Sequence, residues 1–213
     1  MNTERLIDAL ARGAEPVPPH AAERQLSLTV IFGGAGAAVL MLVVFGLNPA
    51  LPSVMTVSGL WIKVVFTSAL TVGALVTLLR LARPGDVVGR STWWIVAAFV
   101  ALWAIGATTL LQADAGTRVA VVMGRTWRTC PINITLLSAP VFLATVVALR
   151  NLAPTRLRAA GAAAGFFAGA LGALAYCFHC PEMAAPFVGT WYALGIAIPT
   201  AVGAALGPRL LRW

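Results

Sequence analysis

The chain has 213 residues, 60% of them hydrophobic and only 10% charged, with a mean hydropathy of +0.88. Soluble domains are less apolar and carry far more charge, so these figures exclude an ordinary soluble fold and indicate an integral membrane protein. A net charge of +8 and a pI near 11.0 would suit nucleic acid, but the basic residues cluster in short breaks between apolar runs. That is the pattern of membrane loops, so no direct nucleic-acid binding is expected.

The first 25 residues, MNTERLIDALARGAEPVPPHAAERQ, lack the apolar core of a signal peptide, and the amino terminus is expected to be retained. Leu6, Ile7 and Leu10 are spaced to share one narrow face of a helix of about three turns. Asn2 or Thr3 would cap it, Asp8 and Arg12 are an i,i+4 pair, and Gly13 is a stop. So short a helix is marginal in water until its apolar face finds a surface. That surface is the membrane interface, the cytoplasmic end of the bundle, or the groove of a soluble partner. Glu4, Asp8, Glu15 and Glu23 speak against an anionic leaflet. Pro16, Pro18 and Pro19 make the following stretch a stiff spacer. The chain thus divides into a cytoplasmic segment, residues 1–24, and a transmembrane domain, residues 25–213.

Crossing the hydrocarbon core takes about 20 apolar residues in a helix. Six such runs follow, at 26–46, 60–82, 92–112, 131–150, 159–178 and 187–207. The fold class is therefore all-α, a polytopic protein of six transmembrane helices, with Trp61, Trp93, Trp94, Trp127 and Trp213 near the interfaces and Trp191 deeper. Eleven Lys and Arg residues fall on the side of both termini, from Arg5 to Arg212, against four on the other, Lys63, Arg118, Arg125 and Arg128. By the positive-inside rule both termini are cytoplasmic, and Cys130, Cys177 and Cys180 face the opposite, oxidising compartment.

Gly161, Gly165 and Gly169 recur every four residues in the fifth run, and Gly33, Gly34, Gly36, Gly203 and Gly207 add small positions in the first and last. Such rows serve close packing within one bundle or a homodimer, the former being favoured. Lys63 is close enough to the end of its run to snorkel, and no other ionisable residue lies mid-membrane. Pro140 and Pro199 could kink their helices, but without polar partners they do not mark a substrate path. No known catalytic motif is present, and an enzyme is not expected.

Cys130 and Cys180 are each followed by proline, in TCPIN and HCPEM, which suggests a cysteine at each of two helix N-caps. Arg125 and Arg128 stand just upstream of Cys130, so both thiols are expected to be more reactive than buried cysteines. An antiparallel pairing of the fourth and fifth runs would bring them together. Cys177 and Cys180 form a CxxC that is no haem site. It is a weak zinc signal, because Cys130, Cys177, Cys180 and His179 make four ligands only if the fold gathers them. A quinone-linked thiol–disulfide oxidoreductase is the alternative reading, and Cys177 also suits simple packing at a helix end.

The segments LIDALA, RLARPG, TWRTC, LAPTR and YCFHCPE with FVGTWYALGIAIPTAVGAALGPRLLRW together resemble the NrsF family of bacterial six-span anti-sigma factors, over essentially the whole chain. The resemblance implies a protein of the bacterial inner membrane whose amino-terminal segment sequesters an extracytoplasmic-function sigma factor. It implies sigma contacts at Leu6, Ile7, Asp8 and Leu10, and sensing of heavy metal or oxidant at Cys130 and Cys180. No cofactor is required; a transient heavy-metal ion on Cys130 and Cys180 is the one metal expected, with Cys177 and His179 as auxiliaries.

Overall fold

The computed structural model is all-α and describes residues 3–13, 20–82, 89 and 91–212. An isolated amino-terminal helix, α1 (Thr3–Gly13), precedes α2 (Ala21–Val44), the short α3 (Leu51–Val54), α4 (Ser58–Leu81), α5 (Ser91–Gln112), the short α6 (Arg118–Met123), α7 (Cys130–Arg150) and α8 (Leu157–Tyr176). A final rod runs through α9 (Ala185–Phe187), a π turn (Val188–Tyr192) and α10 (Ala193–Leu210). Six helices are long and apolar enough to cross a membrane: α2, α4, α5, α7, α8 and the final rod. They match the six expected runs closely, except that α2 starts at Ala21, so the helix enters its apolar run already formed. Asn2, residues 14–19 with Glu15 and the three spacer prolines, Arg83, Arg90, Trp213 and the side chain of Leu10 lie outside the described residues.

α1 carries the expected Asp8–Arg12 ion pair at 3.5 Å. Every side chain described on α1 is exposed, Leu6 and Ile7 included, so the bundle does not cover these two.

Both ends of the bundle are fixed by hydrogen bonds between distant segments. At one end Arg150 donates to the Leu210 carbonyl at 2.5 Å and Asn151 to the Gln25 side chain at 3.2 Å, so α2 begins where α7 and α10 finish. At the other end Asn48 N–H donates to the Phe178 carbonyl at 3.1 Å, joining the end of α2 to the end of α8. The two ends are separated by the 21 residues of α7, about 30 Å of helix.

α8 is the central helix, and glycine is what lets it be. Gly161 and Gly165 lie directly against the α10 backbone at Gly203, Gly207 and Pro199, where a methyl group would overlap carbonyl oxygens. Gly169 meets Ile196 and Pro199, while Gly172 on another face meets the α7 backbone at Ser138 and Ile134. The row is filled by α10 of the same chain, the intrachain use of such a motif. Pro199 also lacks the N–H that would satisfy Gly195, and Thr135 Oγ1 on α7 lies 3.5 Å from that freed carbonyl. On the outer surfaces Phe32, Val43, Val65, Trp93, Trp94 and Val147 are exposed, as side chains facing lipid must be.

Gly165→Val therefore forces two helix backbones apart and is expected to cost at least about 3 kcal/mol, seen as a lower Tm and lost monodispersity in detergent. Gly34→Ala is the control: its nearest neighbour is the flexible Leu171 tip at 3.6 Å, and Tm should hold or rise slightly.

Candidate functional site

The three cysteines meet at one end of the bundle, where α4, α7, α8 and the π turn converge. All are free thiols, and all are buried, with Cys130 and Cys180 at 0% exposure and Cys177 at 1%. This corrects the expectation of accessible thiols: the segment that follows α8 folds back over them. It also corrects the capping. Cys130 is the first residue inside α7, with Thr129 as N-cap, and Cys180 precedes no helix. A residue before proline is pushed out of helical geometry, so Cys180 closes the last turn of α8 through its N–H to the Tyr176 carbonyl at 3.0 Å. The chain then runs without helix to α9, which carries its own Pro186 in the first turn.

Cys130 and Cys180 come together in one buried cluster where antiparallel α7 and α8 meet. Cys177 faces α4 instead: its Sγ donates to the Ala173 carbonyl at 3.3 Å and lies 3.6 Å from Thr67 Oγ1. His179 points away from the thiols. Gly46 ends α2 with φ of 72°, its N–H bonding the Met41 carbonyl, and its own carbonyl turns out to meet His179 Nδ1 at 3.0 Å. The imidazole stacks between Phe45 and Tyr176, with centroids at 5.4 and 5.5 Å. Among the described residues no three His, Cys, Asp or Glu side chains gather as a metal site, so the four-ligand zinc arrangement is not assembled.

Lys63 is the residue that the sequence hid. Rather than snorkelling outward it is 0% exposed, and its Nζ donates to the Cys180 carbonyl at 2.9 Å. The positive charge beside the thiols is this ammonium and not the upstream arginines, since Arg128 stacks over the Trp127 ring at 4.8 Å. Tyr192, aimed inward by the π turn, is fully buried, and its hydroxyl has no nitrogen or oxygen partner, only the sulfurs of Cys177 and Cys180 nearby. Neither Lys63 nor Tyr192 carries a motif; an unpaired lysine within an apolar run was the one readable signal.

These neighbours separate the two loop thiols. Interaction with the Cys130 thiol, aided by Lys63, pulls Cys180 below the usual thiol range, whereas burial pushes Cys177 up to about 11. The shifts run in opposite directions, so of these two sulfurs Cys180 is the one whose thiolate is favoured.

Comparison with known proteins now bears on the whole chain. Residues 10–213 match the NrsF family, described as negative regulator of sigma F. The chain belongs to the NrsF family. The "Probable anti-sigma-F factor NrsF" of Azospira oryzae is 44% identical over 217 residues, and the "Anti-sigma-F factor NrsF" of Caulobacter vibrioides is 35% identical over 219 residues. Both alignments cover 100% of each chain. No solved structure matches. NrsF membership makes this six-helix chain a non-enzymatic regulator of transcription, which decides against the oxidoreductase alternative.

Lys63→Met removes the cation that favours the Cys180 thiolate. The thiolate absorbance near 240 nm, taken as the difference from Cys180→Ser, should titrate below the usual thiol range in the parent chain and at clearly higher pH in the variant.

Proposed function

We propose that this chain is a membrane-bound anti-sigma factor that holds sigma F, as an extracytoplasmic-function sigma factor, through α1 and releases it when Cys130 and Cys180 are oxidised. Full-length similarity to two proteins named anti-sigma-F factors carries the reading. The excess of Lys and Arg at the end holding both termini supports an inner-membrane protein with those termini in the cytoplasm and the thiols in the periplasm. The uncovered Leu6 and Ile7 on α1, with Asp8 and Leu10 on the same helix, suit capture by a groove on the sigma factor.

Oxidation proceeds in two steps with a peroxide. The Cys180 thiolate attacks one peroxide oxygen and expels hydroxide, leaving a sulfenic acid; the Cys130 sulfur then displaces water from it to form the disulfide. Cys130 and Cys180 would equally hold a soft, two-coordinate heavy-metal ion, and His179, engaged with Gly46, would not contribute. Either event draws the start of α7 against the turn after α8. These helices run to the end where Asn151 meets Gln25, near the beginning of α2, and so toward α1. A tenfold loss of sigma affinity needs only about 1.4 kcal/mol of difference between the two states.

With the full chain in nanodiscs, Leu6→Asp with Ile7→Asp should weaken sigma F binding at least about tenfold in a pull-down titration. If the parent chain binds no sigma F, the anti-sigma reading is lost. Cys130→Ser with Cys180→Ser should bind sigma F normally but keep it bound after peroxide; release at the parent rate would remove the sensing role and leave the tether.

A further inference from the structure

The two thiols sit on segments that no helix joins directly, yet one side chain links them. Glu182, two residues after Cys180, reaches across to the turn that leads into α7. Its Oε1 accepts from Arg125 N–H at 2.6 Å, from Thr126 N–H at 3.2 Å and from Thr126 Oγ1 at 3.4 Å. The Thr126 carbonyl in turn accepts the Cys130 N–H at 2.9 Å and the Thr129 N–H at 3.2 Å. Hydrogen bonds thus tie the side chain of Glu182, two residues after Cys180, through Thr126 to the backbone N–H of Cys130.

A second observation shows that the fold makes room for this reach. Gly124 ends α6 with φ of 55°, and a Cβ there would lie 2.8 Å from the Glu182 carboxyl carbon and 2.6 Å from the Phe187 ring. Only glycine lets the carboxylate come this close while the backbone turns left-handed. Phe187 belongs to α9, so the same contact seats the start of the final rod.

We infer that Glu182 is a positioning residue for the thiol pair, a clamp whose carboxylate holds the turn before α7 against the loop after α8 so that Cys130 and Cys180 face one another. The inference rests on the reading that this pair forms a disulfide, and it adds the group that sets the pair's effective concentration. Disulfide stability rises with how well the two sulfurs are pre-placed, because the reduced state then gives up little freedom on closing. What matters is the acceptor oxygen, so glutamine should serve where alanine cannot.

The test uses the full chain in nanodiscs with Cys177→Ser, leaving one thiol pair. The fraction of disulfide is read by maleimide-polyethylene glycol gel shift across dithiothreitol redox buffers, and its rate of formation after peroxide. Glu182→Ala should weaken the disulfide about tenfold, a potential about 30 mV less negative, and slow its formation. Glu182→Gln should stay within about threefold of the parent. Gly124→Ala, which displaces the carboxylate without removing it, should move the potential in the same direction as Glu182→Ala. Should Glu182→Ala fail to fold, the Gln and Gly124 variants decide. Equal potentials and rates in all four proteins overturn the clamp while leaving the pair intact, as does a Gln variant no better than Ala. If the parent forms no Cys130–Cys180 disulfide at any potential, the pairing itself is wrong and the clamp falls with it.

Discussion

Backbone-to-backbone contact between α8 and α10 is the constraint from which the rest of the bundle follows. Lipid supplies no hydrophobic drive to hold helices together, so association must come from close packing and buried polar contacts. The missing side chains at Gly161, Gly165 and Gly203 allow an approach that any methyl group would forbid. With α10 seated on one face, α8 offers Gly172 to α7 on another, and α2 closes on α7 through Gly33 and Gly36. α5 is attached more loosely, through Ile95 over Gly73 of α4.

That packing creates a setting in which polar groups are costly and so informative. An ammonium buried at Lys63 forfeits its hydration, and its Nζ donates to the Cys180 carbonyl at 2.9 Å. Tyr192 is buried with no nitrogen or oxygen partner at all. A bundle selected only for stability would replace both with leucine at little loss. Both lie beside the three sulfurs at one end of the bundle, in a family of regulators rather than enzymes.

Much of this was legible in the residues. Hydrophobic runs of membrane length located all six helices, because no other element satisfies the backbone in lipid. The four-residue glycine spacing in α8 pointed to its partner face, and antiparallel neighbours implied the meeting of Cys130 and Cys180. The misreadings have a common cause. Cys-Pro looked like a cap and Lys63 like a snorkelling side chain because local grammar is blind to the returning loop, residues 178–187, that covers both. Glu182 stood unread within HCPE, since its partners, Arg125 and Thr126, are more than fifty residues away. The π turn that aims Tyr192 has no sequence mark of its own.

Burial of all three thiols also decides which molecules can speak to them. Protein catalysts of disulfide formation act through mixed disulfides, each needing a sulfur exposed to another sulfur. Cys130 and Cys180, fully enclosed, offer no such docking point. A protein oxidant is thereby excluded by size, and reaching the pair takes a molecule small enough to slip between helices. The fold itself therefore sorts oxidants by size before any chemistry begins.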